Sequence, residues 1–181
     1  GPRFIKANMF PTNNTVKLGD PIALTNGYRG GSNSRSGLAI HDESELPENQ
    51  KDMLDKVAKP YFNAYVAWLE NIRCGMEGQQ LFNIIEEELP RATYGWTLCP
   101  GHLTAEEEWV SSPIYEGSTE KLASGMLLQI EIIPSVSGSN GVNAESTVVL
   151  ADETLRNDIR EQYPDMYARM MARRDYLINE L

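Results

Sequence analysis

Three residues in the second half of the chain have the types and setting for acid–base or ligand chemistry. His102 stands in the loop motif PGH, Glu131 inside the apolar stretch LLQIEIIP, and Glu145 at the head of ESTVVLAD. In an extended LLQIEII segment the side chains alternate, so Leu128, Ile130 and Ile132 take one face while Gln129 and Glu131 take the other. A carboxylate buried among such neighbours without a partner costs several kcal/mol. It requires a cation, a metal, a hydrogen-bond donor or a bound proton, and Glu145 poses the same problem. Two strand carboxylates and a loop imidazole form an O,O,N donor set suited to manganese, iron, cobalt or zinc. Plainer readings stand beside this one. A strand glutamate often faces solvent on an open sheet, and a loop histidine is often a surface or capping residue. Glu106, Glu107 and Glu108 read as a solvated face, Trp68, Trp96 and Trp109 as core, and Met170 and Met171 as helix packing. Composition and spacing alone stop at an α+β domain with an acid site.

The elements that must hold these residues can be outlined. Residues 3–10 alternate like a strand, and residues 11–14 (PTNN) read as a turn. TVKLGDPIALT (15–25) reads as a strand interrupted near Gly19-Asp20. NGYRGGSNSRSG (26–37) reads as a bulged hairpin or a loop of close backbone approach. Helical spacing runs from about 47 to 73 through Leu54, Val57, Ala58, Tyr61, Tyr65, Trp68, Leu69 and Ile72. Pro60 inside it predicts a kink or a two-piece helix, with Gly75 as the stop. A shorter helix follows over 77–89, with Leu81, Ile84, Ile85 and Leu89 on one side and Pro90 closing it. Strand character returns at 92–98, 127–133 and 145–151, with SVSGSNG as a hairpin loop between the last two. A helical tail from about 153 to 181 is interrupted by Pro164 and striped by Tyr167, Met170, Met171, Leu177, Ile178 and Leu181. Strands, then helices, then strands predict an α+β fold with an antiparallel or mixed sheet.

Charge and rare residues limit the function. The 181 residues carry 16 Lys+Arg against 26 Asp+Glu, a formal charge of −10. That balance argues against a nucleic-acid or anionic-membrane partner. No apolar run reaches the roughly 20 residues of a transmembrane helix, and no secretory signal is evident. Two separated cysteines, Cys74 and Cys99, give neither a disulfide framework nor a structural zinc motif. The expected setting is therefore reducing and cytoplasmic. Gly1-Pro2 reads equally as native sequence or as a protease-site scar.

Around the trio the sequence resembles the C-terminal part of the pita-bread metallopeptidases: aminopeptidase P, prolidase, methionine aminopeptidase and creatinase. The family's Gly-His loop, its GM…E(P) strand and its final E-x-T-hydrophobic strand correspond to PGH (100–102), SGMLLQIEIIP (124–134) and AESTVVLADE (144–153). EEWVSSPIY and LRNDIREQYP are most similar to a bacterial aminopeptidase-P-like branch. VKLGDPIALTNGYRGGSNSRSG resembles the family's GD…GY hairpin, and GMEGQQLFNIIEEELP lies where its central helices belong. The resemblance implies one pita-bread-like catalytic domain over 1–181, corresponding to the family's C-terminal part and N-terminally incomplete. It assigns His102, Glu131 and Glu145 both catalytic and metal-ligand roles. It also marks departures. The family's two hairpin aspartates, each a metal ligand, fall at Thr25 or Asn26 and at Gly31 or Ser32. A later histidine falls at Trp109, and an upstream one near Asn13 or Asn14. Asp20 matches the structural Gly-Asp step.

The implied function is a Xaa-Pro aminopeptidase-like hydrolase, inactive if the missing aspartates are essential, with one divalent metal (manganese, cobalt or zinc) or none. The alternatives are a metal-independent creatinase-like amidinohydrolase and a non-catalytic peptide-binding pseudoenzyme. The expected partners are a peptide or small-molecule substrate and a second copy in a homodimer.

Overall fold

The structure is a computed structural model and describes residues 13–29, 31–107 and 109–179. The expected strand at 3–10, the first half of the PTNN turn and the end of the tail stripe at Leu181 lie outside the described residues. A five-stranded antiparallel sheet is built from β1 (Pro21–Tyr28), β2 (Gly31–Leu38), β3 (His102–Leu103), β4 (Leu127–Ile130) and β5 (Asn143–Val149), in the order β1-β2-β5-β4-β3. The stretch 15–25 is strand only from Pro21, because Gly19 turns the chain at φ +81°. The glycine-rich stretch is a hairpin of continuous register from Pro21 opposite Leu38 to Tyr28 opposite Gly31. The 127–133 strand is shorter than its apolar run, so Glu131 lies one residue beyond β4.

Helices α1 (Lys59–Asn71) and α2 (Gly78–Glu88) back this sheet. The run before α1 is indeed in two pieces: a π-helical turn at Leu54–Ala58 leads into α1, with Pro60 in its first turn. Proline has no N–H to return to the preceding turn, and the first turn of an α-helix tolerates that. Glu77 and Gln80 form a reciprocal capping box that starts α2. Tyr61, Ala64, Tyr65 and Trp68 of α1 pack with Leu81, Phe82 and Ile85 of α2 against Leu128, Ile130 and Ile132.

The expected strand at 92–98 is corrected. Arg91–Tyr94 form one helical turn, α3, closed by Gly95 at φ +65°. Pro90 opens the turn, and the Arg91 guanidinium bonds Glu86 at 2.6 Å while lying over the Phe82 and Trp96 rings. Trp96 is anchored by its indole N–H on the Leu89 carbonyl at 2.5 Å, so the segment packs as a plug. The tail is two helices, α4 (Glu153–Gln162) and α5 (Pro164–Asn179), and neither contains a fully buried residue.

Candidate functional site

Cross-strand register sorts side chains onto faces. Leu128, Ile130 and Val148 point toward the helices. His102 stands opposite Gln129, Gln129 opposite Thr147, Glu145 opposite Ser34 and Ser34 opposite Thr25, all on the other face. Ile130 pairs with Ser146, so the next position places Glu131 across from Glu145. The fold thus gathers His102, Glu131 and Glu145 onto neighbouring strands of one sheet face.

His102 is wholly buried because Gly101 lets the loop enter the sheet. At φ +156°, a Cβ on Gly101 would lie 3.1 Å from the Gln129 carbonyl and 3.3 Å from the Trp68 ring. The His102 Nδ1 lies 3.1 Å from the Leu103 carbonyl. A carbonyl only accepts, so the proton of this contact is on Nδ1. Nε2 then faces Glu131 Oε2 at 3.5 Å, with the Glu131 side chain 14% exposed. That contact is attractive when a proton sits on one of the two atoms. The Trp109 ring lies 5.9 Å from the His102 ring and is 54% exposed, so Trp109 forms a wall of the site, whereas Trp68 and Trp96 are core as expected.

Glu145 is 4% exposed, and two side-chain amides are among its partners. The Asn143 amide donates to Oε1 at 2.7 Å and the Gln129 amide to Oε2 at 3.4 Å. The Thr147 hydroxyl donates to the Gln129 amide oxygen at 2.6 Å and receives the Ser32 N–H at 3.2 Å. The Ser34 hydroxyl lies 2.9 Å from that of Thr25 and 3.5 Å from the Asn143 amide nitrogen. From the helix side, Tyr61 accepts the Ala144 N–H at 2.7 Å, and Arg35 bonds the Glu145 carbonyl and, at 2.9 Å, the Ser146 hydroxyl. Burial pushes the Tyr61 phenol well above its ordinary range. Sequence reasoning missed Gln129, Asn143 and Thr147. The signal available was the same alternation that exposed Glu131, since Gln129, Asn143 and Thr147 share the parity of the two glutamates.

These residues do not fit the metal pair of the metallopeptidases. Among the described residues no three His, Cys, Asp or Glu side chains are grouped to hold a metal ion. None of the positions at which the resemblance places the aspartates, Thr25 or Asn26 and Gly31 or Ser32, carries a carboxylate, and the Glu145 oxygens accept from amides. No helix among the described residues is long and apolar enough to cross a membrane.

The fold is that of the pita-bread peptidases. A dipeptidase from Pyrococcus horikoshii OT3 superposes with a TM-score of 0.61 and 24% identity, over 77% of this chain and 38% of its own. An Xaa-Pro dipeptidase from Bacillus anthracis gives 0.62 and 18%, over 78% and 39%. A methionine aminopeptidase from Thermotoga maritima gives 0.51 and 19%, over 75% and 61%. The chain thus spans about two fifths of the first two structures, at identities that speak to fold alone. No protein-family model matches the sequence, and no curated protein matches it.

Proposed function

We propose that this chain is an Xaa-Pro-peptidase-like protein that binds the N-terminal end of a peptide on the His102–Glu131–Glu145 face without metal-dependent hydrolysis. The observation that carries the reading is the clamp on Glu145: both carboxylate oxygens accept hydrogen bonds from amides. A carboxylate so held is a fixed acceptor for a ligand and a poor partner for a divalent metal ion. Residues 1–181 act in this reading as one domain of the catalytic type, with the exposed face of Trp109 beside the ligand. The pita-bread fold supports a peptide as the ligand class, because structures of that fold include an Xaa-Pro dipeptidase.

A second reading draws on the His102–Glu131 contact of 3.5 Å. Such a pair can pass a proton to a leaving group without any metal, as general acid–base catalysis requires. One experiment tests both. An Xaa-Pro tripeptide is incubated with the protein in chelator and, separately, in manganese, while binding and product are followed. Binding without product over hours in both buffers is the expected result. Product in chelator, lost in His102→Ala, would establish the second reading. Product only with manganese, or no binding at all, would sink the proposal.

A further inference from the structure

The acidic run that begins at Glu106 reads in sequence as a solvated face, yet the Glu106 carboxylate pairs with the Arg29 guanidinium. Arg29 follows β1 at the tip of the hairpin, and Glu106 lies in the loop that follows β3. The pair therefore joins the two outer strands of the sheet, with β2, β5 and β4 between them. Both side chains are 75% exposed.

The base of that loop is fixed by backbone bonds. The Leu103 carbonyl accepts the Val110 N–H at 3.0 Å, the Leu103 N–H donates to the Ser111 carbonyl at 2.7 Å, and the Thr104 N–H donates to the Leu127 carbonyl at 3.0 Å. Beyond the base, the Ala105 N–H and the Thr104 hydroxyl bond the Glu107 carbonyl, at 3.0 and 3.4 Å, inside the loop itself. Trp109, 54% exposed, lays its ring 5.9 Å from that of the wholly buried His102. A pinned base, an aromatic cover and an ionic tie at the tip are the parts of a lid. The tie is weak by construction, because an exposed ion pair is screened by salt and by water. A buried pair would fix the loop, whereas this one releases it at small cost.

We infer that Thr104–Glu107 and Trp109 form a lid over His102, latched by Arg29 and Glu106, and that a ligand reaches the His102 face when the latch opens. What passes the lid rests on the peptide-binding reading; the latch does not.

The test has two arms, both with the intact chain. In the first, diethyl pyrocarbonate acylates the two histidines, His41 and His102, and peptide mass spectrometry follows each. The His41 side chain, 84% exposed, gives the reference rate at each salt concentration. In Arg29→Ala the relative rate at His102 is expected to rise about two- to fivefold, the range an exposed pair supports. Losing a cation by itself favours the protonated, unreactive imidazole, so a faster reaction reports opening and not charge. The same rise is expected in wild type between about 0.05 and about 0.5 M sodium chloride, and not in Arg29→Ala. Arg29→Glu/Glu106→Arg, which remakes the pair with its ends exchanged, is expected to return the wild-type rate. An unchanged His102 rate in Arg29→Ala, or a rise that the exchanged pair does not reverse, overturns the inference.

In the second arm, association of an Xaa-Pro tripeptide is followed by the change in Trp109 fluorescence. It is expected to be about two- to fivefold faster in Arg29→Ala, because the open fraction of the chain has grown. If the His102 rate responds and no peptide binds, the lid stands and the peptide reading fails. If peptide binds at a rate that Arg29→Ala leaves unchanged, and the His102 rate is unchanged as well, the peptide reading stands and the lid fails.

Discussion

The two faces of β4 are both closed to water but by different physics. Toward the helices, Leu128, Ile130 and Ile132 are held by area and close packing with α1 and α2. Toward the site, Gln129 is equally buried, yet its place is set by two directed bonds, one from Thr147 and one to Glu145. The first face tolerates any arrangement that keeps volume and apolarity. The second has one satisfactory arrangement, and losing a member leaves its partner buried with an unmet bond. One strand thus carries the general stability of the fold and the particular geometry of its site.

Substitutions separate these contributions. Ile130→Ala removes a fully buried side chain and is expected to destabilise the chain by about 2–5 kcal/mol, read by chemical denaturation, with little change in ligand preference. Gln129→Ala removes the 2.6 Å acceptor of the Thr147 hydroxyl, leaving it the longer contact to the Ser32 carbonyl, and removes one amide donor from Glu145. Its expected loss is smaller, about 1–3 kcal/mol, but ligand binding is expected to fall with it. If Gln129→Ala cost nothing, the network would be incidental.

Tyr61→Phe tests the link between the faces. It removes the acceptor of the Ala144 N–H next to Glu145, for a loss of about 1–2 kcal/mol near neutral pH. It also changes the alkaline limb. Burial raises the Tyr61 phenol above its ordinary 10.0 in the folded chain. Below pH 10 the phenol is neutral in both states. As pH climbs above 10 the unfolded chain ionises first, so wild-type stability falls by up to about 1.4 kcal/mol per pH unit until the folded-state value is reached. Tyr61→Phe is expected to flatten that limb in denaturation curves taken at pH 9–11. An unchanged slope would remove Tyr61 from the account. The smallest effect is expected far from the sheet: Ile178→Ala on α5, where the side chain is 61% exposed, should move stability by less than about 0.5 kcal/mol.

Much of this was legible in the residues. Alternation in LLQIEII places Gln129 and Glu131 on one face, and the two-piece helix follows from one proline. The segment 92–98 misled because ATYGWTL has strand-like residues, while Pro90, Gly95 and the Arg91–Glu86 pair impose a helical turn, a tertiary effect that local pattern does not carry. Trp109 misled for a related reason, since a tryptophan in a loop shows nothing in sequence of the ring it will cover. The trio was findable because two acids interrupt apolar strands. The clamp was not, because Asn, Gln and Thr are ordinary strand residues until the register sets them beside a buried carboxylate.

The most direct measurement is a crystal structure of the wild-type chain grown with millimolar manganese chloride, with anomalous differences collected at a wavelength sensitive to manganese. The account predicts no anomalous peak on the Glu145 face, with the Asn143 and Gln129 amides still on the carboxylate. A peak within bonding distance of Glu145 and His102 or Glu131, with the amides turned away, would contradict it.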